Sequence, residues 1–575
     1  MRTQLDHALD AIIEALTAEG QMFATVPFER DGIAMPAFAA APPSLAHYIA
    51  HFCNNSEHKD AVFLVDGEVR LTFAQTYGAA LCVAESLVKD HGIEKGDRVG
   101  IAARNSANWM ILELGVLMAG GCATLLNGFW SGEELAYGID LAECKLVLAD
   151  KGRAARLEGH DLDAKIVLFD HGGAPAEGLA SVWRAPVEGE TPVALAMLQQ
   201  IGPDDLATIL YTSGSTGNSK GAWSDHRGVV HGIMSYVCQS AMAKAYMEST
   251  GEQLPPQPCA LVAVPLFHVT GEIPLFLQSL AIGRKLVLMP RWDAEEAMRL
   301  MEAEGVTYFV GVPLMSYEIA SHPNRANYDL SACKSFAAGG APRPPEHVTK
   351  IKEAFPGGFP LLGYGLTETN AVGCGNFNEN YLAKPGSTGT ASKPMVDLAI
   401  LDDDGNKLPQ GQIGEVCIRS VANFRGYWKN EEATQKAFTK DHYFRTGDLG
   451  YLDEDGYLFI VDRKKDIIIR GGENISCIEV EDAIYAHDDI SECSVFGLPD
   501  ERMGEVPAAV ILTKPGRETV TAGALREFLL SHIAPFKVPL EEHIFVVDET
   551  LPRLGTQKVD KKSLRERYTK QFAAA

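Results

Sequence analysis

Between about residue 45 and residue 460, short β-branched runs alternate with stretches of helical periodicity, and nothing else in the chain constrains its fold as strongly. Arg98-Val99-Gly100-Ile101-Ala102, Lys145-Leu146-Val147-Leu148, Lys165-Ile166-Val167-Leu168-Phe169 and Leu261-Val262-Ala263-Val264 are such runs. Near-continuous apolar strands separated by helices belong to largely parallel sheets covered on their faces by helices, so the fold class is α/β. The most apolar stretch, Trp109 to Trp130, carries Glu113, two adjacent glycines and Asn127. It predicts a buried helix running into a strand rather than a membrane span. A chain of 575 residues exceeds a single hydrophobic core, so two or more domains are expected.

The texture changes at both ends. Leu5, Leu9, Ile12, Ile13 and Leu16 recur at helical spacing, and a Pro-rich passage from Met35 to Ser44 follows, so residues 1–44 predict an amphipathic helix and a lead-in. The body runs over 45–462. The cluster Asp462-Arg463-Lys464-Lys465-Asp466 then stands between two strand-like runs, Tyr457–Val461 and Ile467–Ile469, and predicts a hinge at 463–466. Residues 467–575 read as a small α+β unit, with strands near Ser494–Phe496 and Ala508–Leu512 and helices near 477–487 and 521–532.

Composition narrows the partners. Hydrophobic residues make up 46% and charged residues 22%, as in ordinary globular proteins. The net charge of −25 repels nucleic acid and anionic membrane surfaces over most of the molecule, while leaving room for a basic hollow that takes phosphates. Eleven cysteines, an odd number with no Cys-x-x-Cys pair, argue against a disulfide framework or a structural zinc site. Acidic residues precede any apolar run at the start, and Ala-Ala-Ala at the end carries no address, so a cytoplasmic protein is expected.

The chemistry is carried by five segments. Tyr211-Thr212-Ser213-Gly214-Ser215-Thr216-Gly217-Asn218-Ser219-Lys220-Gly221 follows the apolar run Ala207–Leu210. Its glycines let the backbone turn and expose N–H groups to an anion, its hydroxyls add donors, and Lys220 adds a mobile charge. It is not a Walker A loop, which needs glycine at Ser219 and Ser or Thr at Gly221. Gly363-Tyr364-Gly365-Leu366-Thr367-Glu368-Thr369 combines a turn, an aromatic face, a hydroxyl and a carboxylate. It can stack a base, touch a phosphate and hold Mg²⁺ through Glu368, though a helix N-terminus explains the same letters. Tyr443 to Gly450 places Asp448 after a glycine turn, where it could accept two ribose hydroxyls, and Thr-Gly-Asp is also ordinary turn chemistry. Asp462 to Asn474 runs from the charge cluster through three isoleucines to Arg470-Gly471-Gly472. Leu551 to Lys558 sets one lysine after a turn near the end, a placement usual for a solvated surface group.

In this order and spacing the segments resemble the adenylate-forming superfamily of acyl- and aryl-CoA synthetases, peptide-synthetase adenylation domains and luciferases. Gly96-Asp97-Arg98-Val99, Pro265-Leu266-Phe267-His268-Val269-Thr270-Gly271, Gly339-Gly340-Ala341-Pro342 and Gly426-Tyr427-Trp428 extend the likeness over nearly the whole chain. The resemblance implies a large N-terminal domain of mostly parallel sheets with a β-barrel-like part, and a small mobile C-terminal domain. It implies that the loop from Thr212 through Ser213, Gly214, Ser215, Thr216 and Gly217 to Lys220 holds the phosphates of ATP. Thr367 would touch phosphate, Glu368 would ligate Mg²⁺, and Gly340, Ala341, Pro342, Gly363, Tyr364 and Gly365 would frame the adenine. Asp448 and Arg463 would take the ribose, Lys465 would be the hinge residue, and Lys558 the catalytic lysine. Gly471 and Gly472 would let the pantetheine arm of coenzyme A pass close to the backbone. Two positions depart from many relatives: Ser219 replaces a proline and Gln557 a glycine.

The reaction so implied joins a carboxylic acid to AMP, releases pyrophosphate and passes the acyl group to coenzyme A. The Pro265–Gly271 segment has no carboxylate, which disfavours an amino-acid substrate. Leu366, where acetate-type enzymes have tryptophan, together with Gly311 and Gly339, predicts an apolar pocket for a medium-chain or aryl acid. His268 lines that pocket beside Val269, or is a buried histidine satisfied by backbone. The competing readings are a ligase that loads a carrier-protein phosphopantetheine, disfavoured by the lack of a carrier domain after residue 575, and a nucleotide-binding homologue without turnover.

Overall fold

The computed structural model describes residues 2–54, 57–212, 219–341, 343–554 and 558–573. Its body is built on two large sheets. In the first, Leu206–Thr212, Cys122–Leu125, Arg98–Ala102, Leu146–Asp150 and Lys165–Phe169 run parallel, and Lys220–Asp225 and Gly426–Tyr427 add antiparallel strands at one edge. In the second, six parallel strands run in the order Phe359–Gly365, Ser335–Gly339, Tyr308–Gly311, Cys259–Val262, Lys285–Leu288 and Val62–Asp66, with antiparallel strands at both edges. The strand expected at Leu261–Val264 thus begins earlier, at Cys259.

The helix Ala107–Met118 has every residue buried, Asn108 and Glu113 included, and leads through a short turn to the strand Cys122–Leu125, as the apolar stretch predicts. It belongs to one continuous core that takes Val99, Leu125 and Leu210 from the first sheet and Val262, Leu286 and Val310 from the second. Trp109 is among the largest fully buried side chains there. Truncating such a residue to alanine typically costs about 3–5 kcal/mol.

The lead-in is more structured than its sequence predicts. A capping box at Thr3 and Asp6 opens the helix Gln4–Thr17. Buried Asp6 then accepts from Asn380 (2.9 Å) and from the hydroxyl of Tyr457 (2.7 Å), which ties this helix to the body. The Pro-rich passage contains a strand, Ile33–Phe38, paired antiparallel with Thr25–Arg30 and with Pro36 opposite Pro27. Pro27 and Pro36 face each other three pairs from the turn-flanking pair Arg30–Ile33, a non-hydrogen-bonded position of the antiparallel ladder, so their missing N–H groups cost it nothing.

Four antiparallel strands, Asp397–Leu401, Gly414–Arg419, Phe444–Leu452 and Leu458–Arg463, form a separate sheet. Its register sets Asp448 opposite Arg463. Beyond it lies the smaller domain, in which Ile490–Asp500 and Gly504–Thr513 form a long hairpin with Ile544–Val547 alongside. The helices Cys477–Tyr485 and Ala522–Leu530 cover this sheet around Ile468, Val480, Ile484, Val495 and Leu525. Its strands run further than the Ser494–Phe496 and Ala508–Leu512 cores read from sequence.

Candidate active site

The phosphate-type loop is the connection of an antiparallel hairpin, because Thr212 at the end of one strand pairs with Lys220 at the start of the next. Ser213, Gly214, Ser215, Thr216 and Gly217 themselves lie outside the described residues. Lys220 places its ammonium over the ring of Tyr427, 4.8 Å from the centroid. The Tyr427 hydroxyl in turn donates to Oε1 of Glu368 at 2.8 Å. Lysine, aromatic ring and carboxylate therefore form one stack beside the loop.

Glu368 reaches this place through a sharp turn. At Gly365 a Cβ would lie 2.0 Å from the carbonyl oxygen of Ala371, so only glycine fits. The chain then makes the short 3₁₀ turn Thr367–Thr369, and Asn370 and Ala371 follow with positive φ. Glu368 is buried, and burial pushes its carboxyl pKa up, opposed by the Tyr427 hydrogen bond and by the charges of Arg463 and Lys220. Thr367 is half-buried on the same turn, whereas Leu366 packs with Ala222, Phe424 and Phe444 on the Tyr427 side.

Asp448 follows Gly447, whose φ of +74° forms the turn anticipated in the sequence. The Tyr364 hydroxyl donates to its Oδ2 at 2.7 Å, and Arg463 Nε lies 3.3 Å from its Oδ1. Burial raises the Asp448 pKa, while Arg463 and Tyr364 oppose the rise. Gly363, exposed on the same strand, lies beside Gly339 on the next one, and Gly340 follows with φ +76°. Ala341 is half-buried, and Pro342 lies outside the described residues.

Lys558 arrives from the small domain. A Cβ placed on Gly340 would come within 3.3 Å of its Nζ and within 3.9 Å of Cε1 of His268. Its backbone is held where the Leu554 N–H donates to its carbonyl and Arg553 bridges to Val559. Desolvation, and then the charge of Arg463, lower its pKa to about 8 against the pull of Asp448. His268 Nδ1 accepts from the N–H of Thr270 at 3.3 Å, so the ring is both satisfied by backbone and turned toward Gly340. Burial, helped by Lys558, lowers its pKa to about 3, which keeps it neutral.

Thus Lys220, Glu368, Tyr364, Asp448, Arg463, Gly340, Lys558 and His268 are linked, by direct contact or by charge, into one cluster. Val269 is buried in the main core behind them, and a Cβ on Gly311 would press on Met315 Sδ at 2.9 Å. Lys465 is exposed on the turn after Arg463. Gly471 and Gly472 stand apart, at the tip of the hairpin Ile468–Arg470/Glu473–Ile475. A Cβ on Gly471 would meet only Met503, and one on Gly472 nothing within 4 Å. Sequence reasoning gave no role to Tyr427, although its Gly426-Tyr427-Trp428 segment was visible; its bond to Glu368 spans 59 positions and leaves no local trace.

The two-layered body, the small domain and a lysine reaching from one into the other define a protein of the adenylate-forming class. The chain belongs to the AMP-binding enzyme family: that family's model matches residues 52–428, and the model of the AMP-binding enzyme C-terminal domain matches residues 479–558. It is 31% identical over 527 residues to a long-chain-fatty-acid–CoA ligase of Bacillus subtilis (strain 168), covering 87% of this chain and 90% of the relative. It is 30% identical over 524 residues to 4-coumarate–CoA ligase-like 4 of Oryza sativa subsp. japonica, covering 90% and 92%. Among solved structures, ATP-bound MatB from Rhodopseudomonas palustris superposes with a TM-score of 0.78 at 28% identity, over 92% of this chain and 99% of that one.

Proposed function

We propose that the protein is an ATP-dependent, AMP-forming acid–CoA ligase whose substrate is a medium-chain fatty or aryl carboxylic acid. The observation that carries this reading is Lys558, desolvated against Gly340 and beside the Asp448–Arg463 pair. A cation there serves a reaction in which two anions must meet.

In the first step a carboxylate oxygen bonds to the α-phosphorus of ATP and the bond to the departing pyrophosphate breaks. The work is positioning and charge neutralisation. Lys558 faces the carboxylate and the α-phosphate, Lys220 and the Thr212–Lys220 loop take the outer phosphates, and Asp448 with Arg463 hold the ribose. Glu368 fits a hard divalent cation, being a buried carboxylate with one oxygen fixed by Tyr427. Among the described residues no three His, Cys, Asp or Glu side chains gather into a cage, so further ligands would come from phosphate and water. Mg²⁺ bound at Glu368 would supply charge stabilisation of the leaving pyrophosphate.

In the second step the sulfur of coenzyme A bonds to the acyl carbon, AMP leaves through its phosphate oxygen, and the thiol proton passes to solvent. Lys558 must withdraw to admit the thiol, and the turn at 463–466 is the proposed hinge. In support, Asp462 accepts from the N–H groups of Cys477 and Ile478, so the end of the last body strand is already gripped by the small domain. The domain limits 45–462 and 467–575 follow from that hinge.

Pyrophosphate release measured on a panel of fatty and aryl acids, with and without coenzyme A, tests the proposal. Acid-dependent release with acyl-CoA formation supports it. Release without transfer to coenzyme A points to a carrier-protein thiol, and no release with any acid to a protein without turnover.

A further inference from the structure

Lys558 stands on a hairpin whose two legs are paired. The Leu554 N–H donates to the Lys558 carbonyl at 2.8 Å, Arg553 bridges to Val559, and the Asp560 N–H donates to the Pro552 carbonyl at 2.7 Å. So short a ladder is marginal on its own, and the place of the hairpin is set by what its legs are tied to. Each leg carries one cation, and each cation meets a carboxylate of the small domain.

On the incoming leg, Nη2 of Arg553 pairs with Oε2 of Glu492 at 2.7 Å, and the same oxygen accepts from the Leu551 N–H at 3.3 Å. Glu492 is buried and follows a bulge: Ile490 pairs with Thr513 but Glu492 with Leu512, so one extra residue re-aims the side chain. It shares a strand face with Phe496 and Leu498, which belong to one apolar cluster with Leu551, Leu564 and Tyr568. On the outgoing leg, Nζ of Lys561 pairs with Oε1 of Glu481 at 2.9 Å, and that oxygen accepts from the Val495 N–H at 2.8 Å. Both anchors therefore end on the strand Ile490–Asp500, at positions 492 and 495, roughly 10 Å apart. Glu481 lies on the helix Cys477–Tyr485, whose first N–H groups are taken by Asp462 beside the proposed hinge.

We infer that the pairs Arg553–Glu492 and Lys561–Glu481 form a two-point clamp on the Lys558 hairpin, which makes Arg553 and Lys561 positioning residues for the adenylation step. This rests on the reading of Lys558 above and deepens it. A lysine ammonium rides on a flexible four-carbon stem, so its place against Gly340 depends on where the hairpin backbone is held. Exchanging a buried ion pair for apolar residues of like volume often leaves stability unchanged, so what two such pairs supply here is geometry. A displacement of about 1 Å near a reacting centre can cost about 10²-fold in rate. Because one helix is tied both to Asp462 and to Lys561, a swing at the hinge carries the hairpin with it.

The test separates the two half-reactions in the full chain. Arg553→Met, Lys561→Met and Glu492→Gln, which keeps an acceptor for Leu551, are each expected to slow acid-dependent pyrophosphate release at least about tenfold, with thioester formation from preformed acyl-adenylate within about twofold of wild type. Arg553→Lys and Lys561→Arg keep the charge and should retain most of the rate. A loosened hairpin also lets water reach the Lys558 ammonium, which stands against Gly340 and His268 with Arg463 and Asp448 nearby. The loss of activity near pH 8 should therefore move to higher pH in the slowed variants. Unchanged pyrophosphate release, equal loss of both half-reactions, a limb that stays at about pH 8, or conservative variants no better than the methionine ones overturns the clamp and leaves the ligase reading standing. No pyrophosphate release by wild type with any acid overturns both.

Discussion

The hydroxyl of Tyr364 donates to Asp448 Oδ2 at 2.7 Å, joining residues 84 positions apart from two different sheets. With Arg463 on the other oxygen, this bond holds the carboxylate ready for a ribose. A hydrogen bond to a charged group is worth about 1.5 kcal/mol, or roughly tenfold in affinity. Tyr364→Phe is therefore expected to raise KM for ATP by about that factor with a smaller change in kcat, as read by steady-state kinetics.

Lys558→Ala is expected to slow adenylation by about 10²–10³, the usual loss for one preorganised donor, while sparing thioester formation from preformed acyl-adenylate. The pH dependence has a definite sign. The Lys558 pKa lies at about 8, below its ordinary value, so the cation is present below that pH and lost above it. Pyrophosphate release in wild type should fall as pH rises through 8, and Lys558→Arg should abolish that limb even if its rate is lower. Persistence of the limb in Lys558→Arg would assign it to another group.

Tyr427→Phe removes the hydrogen bond that opposes the upward shift of the Glu368 pKa. The carboxylate form exists above that pKa, so the variant should lose activity at a higher pH on the acid side than wild type. Its half-saturating Mg²⁺ concentration should rise several-fold, checked by Mg²⁺ titrations at two pH values.

Gly471 has φ +60° and Gly472 φ +91°, and both are exposed at a hairpin tip away from Lys558. A role confined to the thiol step predicts that Gly471→Ala keeps pyrophosphate release close to wild type and slows acyl-CoA formation at least about tenfold, allowing for strain of about 1–2 kcal/mol at that backbone position. Parallel assays of pyrophosphate and thioester decide it; equal losses would remove the role.

His347 stacks on Tyr317 (4.1 Å) and meets the edge of Tyr485 from the small domain (5.7 Å). Burial, with Lys350, Arg343 and Lys514 nearby, depresses its pKa to about 3. The unfolded chain binds a proton near 6.5 and the folded one does not, so this contact loses stability as pH falls below 6.5, by up to about 1.4 kcal/mol per pH unit. His347→Phe should raise the melting temperature at pH 5.5 relative to wild type and change it little at pH 8.

Local pattern carried much of this protein. The buried helix at Ala107–Met118, the parallel strands and the small domain's helices are each set by periodicity within a dozen residues. The glycine turns before Glu368 and Asp448 were legible because only glycine tolerates a carbonyl at 2.0 Å or the φ that the turn demands. The ribbon at Thr25–Phe38 was hidden because its prolines read as a breaker when the pairing partner is unknown.

The sequence by itself determined the layered α/β body, the order of its motifs and the family they belong to, since these depend on side-chain periods and short spacings. Only the tertiary structure decided that Tyr427 holds Glu368 and that Tyr364 holds Asp448. Those relationships are set by sheet register and by packing between elements 59 and 84 residues apart, and desolvation, which shifts the charge of each group, exists only once the layers have closed.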